Sequence, residues 1–341
     1  MVTTRPARKL LVIELWGIGD LTMATPLLGA AAEEYDVTLL GKPHARALLA
    51  GTFPRMTFIE WDAPWTVFTG KYRLWRWNWR AVRGVVAALQ QRKFDVAASG
   101  RRADPRDHLV MRLAGIPRRV GYAYRRTPGL LTDPIDPGPA TRHVVDDWRA
   151  IAGRLGVDDT LEPHLDSSAY PAAFTGPAGT PVVCLHAGAR IPVRRWPEAH
   201  FAETIRRLRA RFAFELLLIP DPDGYGLGLA PLADRVIEKL PLDELVGVLA
   251  SCAMLLCNDS GPGHIAAACG RPVLAVFGPT EPTRFSPRGP QTQLAIRDLC
   301  PHRPCMDACR FPEPYCLTRL AGDDVWREIE AFAATVLPAR T

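Results

Sequence analysis

Short apolar runs alternate with amphipathic stretches along most of the chain. Residues 9–16 form a branched apolar run closed by glycine, which predicts a strand buried on both faces of a parallel sheet. Residues 21–34 repeat apolar positions at helical spacing, so a helix is expected directly after that strand. The same alternation predicts further strands at 35–40, 56–60 and 94–98, and helices at 44–50, 73–91, 107–114 and 143–155. Such a repeat is typical of an α/β domain with a mostly parallel sheet.

A second alternating set begins at residue 181. It predicts strands at 182–185, 214–219, 253–257 and 273–277, helices at 198–212 and 242–251, a small-residue helix after residue 257 and a last helix at 323–337. Between the two sets, residues 167–180 lose periodicity and collect Pro, Gly and Ser, as linkers do. We therefore predict two Rossmann-like domains, 1–166 and 181–322, which face each other across a central cleft, with a separate segment 323–341.

Composition supports two ordinary domains. The chain has 341 residues, and its 48% hydrophobic content suffices for a core in each. No apolar run approaches the roughly 18 residues that span a bilayer, and residues 1–9 lack the apolar core and cleavage site of a signal peptide. We expect a cytoplasmic protein.

Basic residues concentrate in the first half, where residues 71–126 hold fifteen Lys and Arg against three Asp. This excess predicts an anionic partner. Trp75, Trp77 and Trp79 are interleaved with arginines there, which suggests nucleic-acid stacking, an anionic or lipid-linked acceptor, or a structural helix face. Trp75 and Trp79 share one face at helical spacing, which favours a core or an interface over nucleic acid. We expect no nucleic acid; a lipid-linked acceptor leaves open peripheral association with the inner face of the membrane.

The first strand is followed by Gly17-Ile18-Gly19-Asp20 at the start of a helix. These glycines do not complete the G-x-G-x-x-G fingerprint of a dinucleotide site, since Leu21 and Thr22 come next. Asp20 has two interpretations. It is either the N-cap of the helix or a base at the carboxyl end of a strand, where open α/β sheets bind ligands.

The stretch from Cys257 to Thr280 reads as strand, loop, helix N-terminus and parallel strand. Asp259 and Ser260 are good N-cap residues, and the free N–H groups of the first turn suit an anion such as a nucleotide diphosphate. An ordinary capped βαβ connection is the alternative. Other candidates at this edge are Gly261, Gly263 and His264 after the strand, and His186, Arg194 and Arg195 near the start of the second set. The two arginines could instead form a solvated basic patch.

Four of the eight cysteines crowd into Cys300, Cys305, Cys309 and Cys316. In a reducing compartment, such a cluster favours a structural metal, zinc or iron, over disulfides, although free thiols and disulfides stay open. His302 is an alternative ligand. Cys184, Cys252, Cys257 and Cys269 lie in apolar segments and are expected to be core residues.

Several motifs together resemble glycosyltransferase family 9, the ADP-heptose:lipopolysaccharide heptosyltransferases. They are Gly17-Ile18-Gly19-Asp20, His143-Val144-Val145-Asp146-Asp147, Arg194-Arg195-Trp196-Pro197, and Asp259-Ser260-Gly261-Pro262-Gly263-His264 ending in Phe277-Gly278-Pro279-Thr280. The resemblance implies a GT-B fold whose C-terminal domain binds the donor and whose N-terminal domain binds the acceptor. It also implies inversion without a catalytic cofactor, and a last helix that packs back on the N-terminal domain.

Carried to this chain, the resemblance makes Asp20 the general base. Arg194 takes the place of the usual Lys of a K-x-W-P motif, and Asp259, Ser260 and Gly261 match the loop for the donor sugar and diphosphate. His264 follows one turn along. Protein-modifying members of the superfamily hold iron in a cysteine finger, which parallels the four cysteines.

The chain departs from the family on the acceptor side. Glu14, Trp16 and Gly17 stand where the family usually has Lys or Arg followed by small polar residues. Glu14, Trp16 and Gly19 are the candidate acceptor-side residues. The predicted function is transfer of heptose or a related sugar from ADP-heptose, or another nucleotide sugar, to a lipopolysaccharide-type or specialised acceptor. Alternatives are a GT-B-type epimerase or hydrolase, and a non-catalytic sugar-nucleotide-binding protein.

Overall fold

Each half of the chain folds around its own six-stranded parallel sheet in the computed structural model. The structure describes residues 7–67, 73–102, 104–124, 127, 129–171, 179–237 and 239–340. Internal packing divides the chain into two units, Met1–Pro163 and His164–Thr341. The predicted α/β class with two Rossmann-like domains is confirmed.

The first unit has the strand order β3-β2-β1-β4-β5-β6. Its strands are β1 Arg8–Glu14, β2 Tyr35–Gly41, β3 Thr57–Glu60, β4 Val96–Ser99, β5 Arg118–Tyr122 and β6 Asp133–Ile135. Its helices are α1 Ile18–Met23, α2 Thr25–Glu34, α3 His44–Leu49, α4 Trp79–Arg92, α5 Arg106–Leu113 and α6 Val144–Leu155. Between β3 and β4 the chain crosses back to the other side of β1, so the strand order reverses between β1 and β4. Open α/β sheets bind ligands at the carboxyl edge of such a switch point.

The tryptophan-rich segment differs from its prediction. A 3-10 helix, Leu74–Arg76, precedes α4, which starts only at Trp79. Trp75 and Trp79 are 79% and 44% exposed, so the expected apolar face does not form. Trp77 packs against Trp65 instead, with ring centroids 5.6 Å apart. The helical spacing was misleading because the segment is not one continuous helix.

The second unit repeats the plan with the order β12-β11-β10-β7-β8-β9. Its strands are β7 Val182–His186, β8 Glu215–Leu218, β9 Arg235–Val236, β10 Met254–Asn258, β11 Val273–Val276 and β12 Thr292–Ala295. Its helices are α7 Glu198–Arg211, α8 Leu242–Ser251, α9 Gly261–Ala268, α10 Pro282–Phe285, α11 Tyr315–Thr318 and α12 Gly322–Ala334. The central strands β7 and β10 pair with Cys257 opposite His186. This register brings the loops that follow the two strands to the same edge of the sheet.

The last helix, α12, buries Val325, Ile329 and Ala333 in the core of the second unit, where it packs on α7 and β12. Its apolar face is used there because the helix lies directly over that sheet. The expected packing of this helix on the N-terminal domain stays a prediction. Of the predicted linker, a 3-10 helix at Ser167–Ala169 is described within the second unit, and residues 172–178 lie outside the described residues.

Within the described ranges, the helices are all too short or too polar to cross a membrane.

Candidate functional site

Asp20 is the third residue of α1, not its N-cap. Gly17 occupies the cap position, and its backbone N–H donates to Asp20 Oδ2 at 3.1 Å. This is one half of a capping box, and it fixes the carboxylate at the carboxyl end of β1. The other oxygen, Oδ1, lies 3.8 Å from Nη1 of Arg101. With 29% of its side chain exposed, Asp20 keeps one oxygen on the backbone and offers the other to solvent.

Glu14 ends β1 and is buried, with Oε1 accepting a hydrogen bond from the Trp16 backbone N–H at 2.9 Å. Burial, followed by the negative charge of Asp20, raises the pKa of Glu14 to about 8. The carboxyl group is therefore mostly protonated at neutral pH and adds little negative charge beside Asp20. Half-buried Gly19 precedes Asp20 in α1.

Asp107 at the start of α5 extends this group of acids. Its Oδ2 accepts from Ser99 Oγ at 3.0 Å, and burial first, then Asp104, raises its pKa to about 6. Sequence reasoning did not single out Asp107 or its neighbour Arg101. Both follow β4, the strand beside β1, so strand-end position was the signal that could have found them.

Arg101 supplies the positive charge of this edge. Its guanidinium lies 3.7 Å from the centroid of the Trp16 ring, close enough for a cation–π contact. The family's basic residue after the first strand is absent here, since Glu14 stands there. A cation from the adjacent strand end lies near Asp20 instead.

In the second unit, Arg194 bridges two carboxylates. Its Nη1 donates to Asp259 Oδ2 at 3.2 Å, and its Nε and Nη2 donate to the two oxygens of Asp307, each at 2.7 Å. Asp259 is buried and also accepts from Thr280 Oγ1 at 2.6 Å. Asp307 was not predicted, because 113 positions separate it from Arg194.

Arg195 points to different partners. Its Nη2 donates to Asp221 at 2.7 Å and to Asp223 at 2.6 Å, and its Nε donates to the Ala189 carbonyl at 2.8 Å. Only 11% of the side chain is exposed, which rules out a solvated patch for this residue. Arg195 thus ties together the loops after β7 and β8.

His186 ends β7 and is buried against β8. Its Nδ1 is hydrogen-bonded to the Ile219 carbonyl at 2.9 Å, while Nε2 lies 3.9 Å from Asp221. Burial lowers the pKa of His186, so the imidazole is neutral at pH 7. It can orient neighbours but carries no charge for an anion.

The start of α9 differs from the predicted side-chain cap. Ser260 is the N-cap residue, yet its hydroxyl donates to the Asn258 carbonyl at 3.2 Å, and no side chain in this described segment caps the helix. Asp259 does not cap because Thr280 and Arg194 engage its carboxylate. Gly261 is the first residue of α9, and Gly263 lets the first turn pack closely on β10, since a Cβ there would lie 3.1 Å from Cys257 Sγ. His264 is buried one turn along.

Asn258 was overlooked in the sequence, although it positions Arg194. It is fully buried, and its Oδ1 accepts from the Trp196 backbone N–H at 3.0 Å while its Nδ2 donates to the Ala187 carbonyl. The ring of Trp196 is fully buried against Phe201, with centroids 4.9 Å apart. The chain that follows Arg194 is thus held to the end of β10, and Asn258 also joins the end of β10 to the end of β7.

The structural metal at Cys300, Cys305, Cys309 and Cys316 stays a prediction. Among the residues that the structure describes, no three His, Cys, Asp or Glu side chains are grouped as a metal ion requires, His302 included. Cys300 and Cys316 are part of the apolar core, and all eight cysteines are free thiols. Burial is the main cause that raises the pKa of Cys316 to about 11, and the nearby thiols of Cys300, Cys305 and Cys309 raise it as well.

The cysteine segment has another structural effect. The backbone N–H groups of Cys305 and Met306 both donate to the Pro279 carbonyl at 3.1 Å, next to Thr280. These two hydrogen bonds hold the cysteine segment against Pro279, and the next residue, Asp307, lies beside Arg194. Of the four other cysteines, Cys184, Cys252 and Cys257 are buried as expected, and Cys269 is partly exposed.

These features define a class: two parallel-sheet Rossmann-like units, one with a carboxylate and one with an arginine and an open helix start at the carboxyl edge. Comparison with known proteins identifies the family. The model of glycosyltransferase family 9 (heptosyltransferase) matches residues 88–314. The chain belongs to this family and is a glycosyltransferase.

Individual relatives are distant but extensive. Lipopolysaccharide heptosyltransferase 2 of Escherichia coli K12 is 26% identical over 307 residues, covering 82% of this chain and 85% of the relative. The structure of E. coli ADP-heptose lps heptosyltransferase II is similar with a TM-score of 0.71 at 22% identity, over 96% of this chain and 99% of that one. E. coli heptosyltransferase WaaC with ADP-2-deoxy-2-fluoro heptose gives a TM-score of 0.69 at 20% identity, over 95% and 99%. The two solved structures support the fold.

Proposed function

We propose that the protein transfers heptose, or a related sugar, from a nucleotide sugar to a lipopolysaccharide-type or specialised acceptor, with inversion and without a catalytic metal. ADP-heptose is the first candidate donor, because relatives are named as lipopolysaccharide heptosyltransferases and WaaC was solved with an ADP-heptose analogue. The observation that carries the proposal is the group of Arg194, Asp259 and Thr280 beside the uncapped start of α9.

Two features of this group suit a diphosphate. The helix start provides backbone N–H donors and the positive end of the helix dipole. Arg194 provides a planar fork that binds phosphate oxygens in pairs. In this proposal Asp259 is a positioning residue. It is buried and orients Arg194 and Thr280 by direct hydrogen bonds. When the nucleoside diphosphate leaves, its developing charge is stabilised by the arginine and the helix start.

The Asp307 carboxylate occupies the same fork of Arg194 that a phosphate would use. Binding of the donor therefore requires that Arg194 exchange Asp307 for a phosphate oxygen or share itself between the two. We propose that the donor displaces Asp307, since a diphosphate carries more negative charge.

Asp20 is the proposed general base. The acceptor hydroxyl oxygen forms a bond to the anomeric carbon, the bond from that carbon to the diphosphate oxygen breaks, and the hydroxyl proton passes to Asp20. The diphosphate keeps the electron pair of the broken bond. The Gly17 N–H holds one oxygen of Asp20 and leaves the other for this proton.

The acceptor side favours an anionic partner. Arg101 lies between Trp16 and Asp20, and the neighbouring Glu14 is mostly protonated, so the local charge is not dominated by carboxylates. Together with the basic segment 71–126, this supports a phosphorylated or acidic glycan, or a lipid-linked one at a membrane surface.

The experiment is nucleotide release measured with ADP-heptose, with and without a lipopolysaccharide core acceptor. Release that depends on acceptor supports transfer. Equal release without acceptor would indicate a hydrolase, and tight donor binding with no release would indicate a binding protein. Parallel thermal-shift measurements with ADP, UDP and GDP sugars identify the nucleobase of the donor, since a ligand that binds the folded state raises Tm.

A further inference from the structure

Large apolar side chains are exposed on the chain that leads into α4 and on the first residue of that helix. Leu74, Trp75 and Trp79 are 52%, 79% and 44% exposed. The exposed arginines that are interleaved with them in the sequence are Arg73, Arg76 and Arg80. These six residues are called the tryptophan–arginine surface below. It combines apolar area with positive charge, and nothing in the proposed transfer reaction uses it.

The charge of this segment is entirely positive. Between Asp62 and Asp95 the sequence contains no Asp or Glu, and its seven basic residues are Lys71, Arg73, Arg76, Arg80, Arg83, Arg92 and Lys93. The count includes residues 68–72, which lie outside the described ranges. All other residues of the first unit outside those ranges also lack an acidic side chain. The surface therefore suits an anionic partner.

The exposed rings are held by the core of the first unit. Four tryptophan rings contact one another in series, with centroids 4.8 Å apart for Trp61 and Trp65, 5.6 Å for Trp65 and Trp77, and 5.3 Å for Trp77 and Trp79. Trp61 and Trp65 are buried, and Trp79 Nε1 donates to the Leu74 carbonyl at 2.9 Å. Because these groups are already ordered, a partner that contacts them loses little binding energy to side-chain ordering.

The surface lies on the side of the first sheet where Asp20 is located. The last residue of α4, Arg92, accepts a hydrogen bond through its carbonyl from Lys9 Nζ at the start of β1, at 3.3 Å. The first turn of α4 is therefore directed to the opposite, carboxyl edge of the sheet. The tryptophan series reaches that edge as well, because the Trp65 ring centroid lies 5.8 Å from the guanidinium carbon of Arg106 at the start of α5.

We propose that the tryptophan–arginine surface docks on an anionic phospholipid bilayer and presents the carboxyl edge of the first sheet to a lipid-linked acceptor. The inference rests on the proposed transferase function. Tryptophan favours the boundary between headgroups and acyl chains, since its ring is apolar and its N–H is polar. Arginines near the bilayer surface are attracted by anionic headgroups. Leu74 beside Trp75 favours acyl chains over nucleic-acid bases, which stack on aromatic rings.

The test is co-sedimentation of the full chain with vesicles of phosphatidylcholine and with vesicles of an equal mixture of phosphatidylcholine and phosphatidylglycerol. The wild type should bind the anionic vesicles more tightly, and added salt should weaken this binding. Trp75→Ala removes the most exposed ring and should lower the partition coefficient by about tenfold. Arg76→Ala removes one charge and should lower it by about fivefold.

Two leucines provide a matched comparison. Leu74 and Leu113 are 52% and 49% exposed, but Leu113 ends α5, and its carbonyl accepts from Gln90 Nε2 near the end of α4, at the amino edge of the sheet. Leu74→Ala should lower the partition coefficient by about threefold, because apolar area is lost from the docked surface. Leu113→Ala should bind vesicles as the wild type does. Equal losses in the two variants would contradict the proposed orientation.

A second measurement uses wild-type protein and does not depend on folding of a variant. Anionic vesicles with brominated acyl chains should quench part of the tryptophan fluorescence, because Trp75 would lie at the acyl-chain boundary. Absence of quenching, equal binding to neutral and anionic vesicles, or unchanged binding of Trp75→Ala would each overturn the inference. So would a wild type that binds no vesicles but loses self-association, or binding of a single-stranded oligonucleotide, on Trp75→Ala.

Failure of this inference and failure of the proposed function are distinguishable. A soluble core oligosaccharide needs no membrane, so acceptor-dependent nucleotide release with that acceptor, without vesicle binding, would remove only the docking surface. Vesicle binding that depends on Trp75, without nucleotide release for any acceptor, would remove the transferase function and leave the docking surface in place.

Discussion

The carboxyl edges of the two sheets differ in the balance between acidic and basic side chains and in how these are paired. In the first unit, three acidic residues, Glu14, Asp20 and Asp107, share one nearby arginine, and the two buried ones have raised pKa values. In the second unit, Arg194 is saturated by two carboxylates, and Asp259 is itself fully engaged. The same topology has therefore produced one edge that can take up a proton and another that holds a cation in place.

This contrast matches the two needs of metal-free glycosyl transfer. One reactant must lose a proton, and the other must leave with negative charge. In the proposed function, the Asp20 carboxylate serves the first need, and the Arg194 guanidinium beside the uncapped start of α9 serves the second. Variants at each edge should therefore affect different kinetic quantities.

Asp20→Asn gives the sharpest separation between the edges. Loss of a general base should lower kcat by about 10²–10⁴-fold, while the Kd for the nucleotide sugar stays unchanged because Asp20 belongs to the other unit's sheet. Acceptor-dependent release of nucleotide under saturating donor measures this. Asp62→Asn, at an exposed position of the same unit, is the control. Normal turnover in Asp20→Asn would remove the base assignment.

Arg194→Ala should show the opposite pattern. Removal of a charge-assisted contact to phosphate should weaken donor binding by about 10–100-fold, measured as the Kd for ADP by calorimetry. The helix start remains and limits the loss. Arg206→Ala, on the exposed face of α7, should bind ADP as the wild type does. Equal affinities for Arg194→Ala and Arg206→Ala would place the diphosphate elsewhere.

Glu14→Gln tests whether the Glu14 carboxyl group is protonated in the folded chain at neutral pH. The pKa of Glu14 in the folded chain is about 8, above its ordinary value of 4.5, so the folded state binds more protons than the unfolded state between these values. Stability of the wild type should then fall as pH rises from about 4.5 to about 8. Gln cannot ionise, so the variant should gain about 4 kcal/mol relative to the wild type between pH 5 and pH 8.5.

Urea unfolding at the two pH values measures this change. Glu33→Gln, which alters an exposed acid on α2, should follow the wild type at both. If Glu14→Gln also followed the wild type, Glu14 would be ionised in the folded chain, and the first edge would carry two adjacent negative charges.

Sequence reasoning could identify the frame of both edges. The buried strands are visible as short apolar runs. Asp20 lies in the first turn of the helix after β1, and Asp259 follows β10 directly, so their place at a sheet edge follows from the alternation alone. The class α/β and the family resemblance are confirmed for the same reason: they depend on local patterns and their order along the chain.

The partners of these residues could not be predicted. Arg194 meets Asp307 only because the cysteine segment folds back on the Pro279 turn, and no local pattern marks that return. The directions of the cysteine side chains were equally out of reach. Close spacing of Cys300 to Cys316 in the sequence does not determine where each side chain points, and Cys300 and Cys316 lie in the core. Side-chain direction in an irregular loop is set by tertiary packing.

Asp307→Asn is expected to have the smallest effect on ligand binding, and it tests the ion pair between Asp307 and Arg194 in the second unit. Asn is close in size but has no charge, so Arg194 would be released more readily to a phosphate, and the Kd for ADP should fall by about two- to fivefold. The gain is small because both side chains are partly exposed, at 25% and 22%, and solvent screens their attraction. Glu313→Gln, in the same segment, is the control and should leave the Kd unchanged. Weaker ADP binding in Asp307→Asn would mean that Asp307 orients Arg194 for the donor. The Arg194–Asp307 ion pair would then persist when ADP is bound, and Asp307 would hold Arg194 in the position in which it contacts the diphosphate.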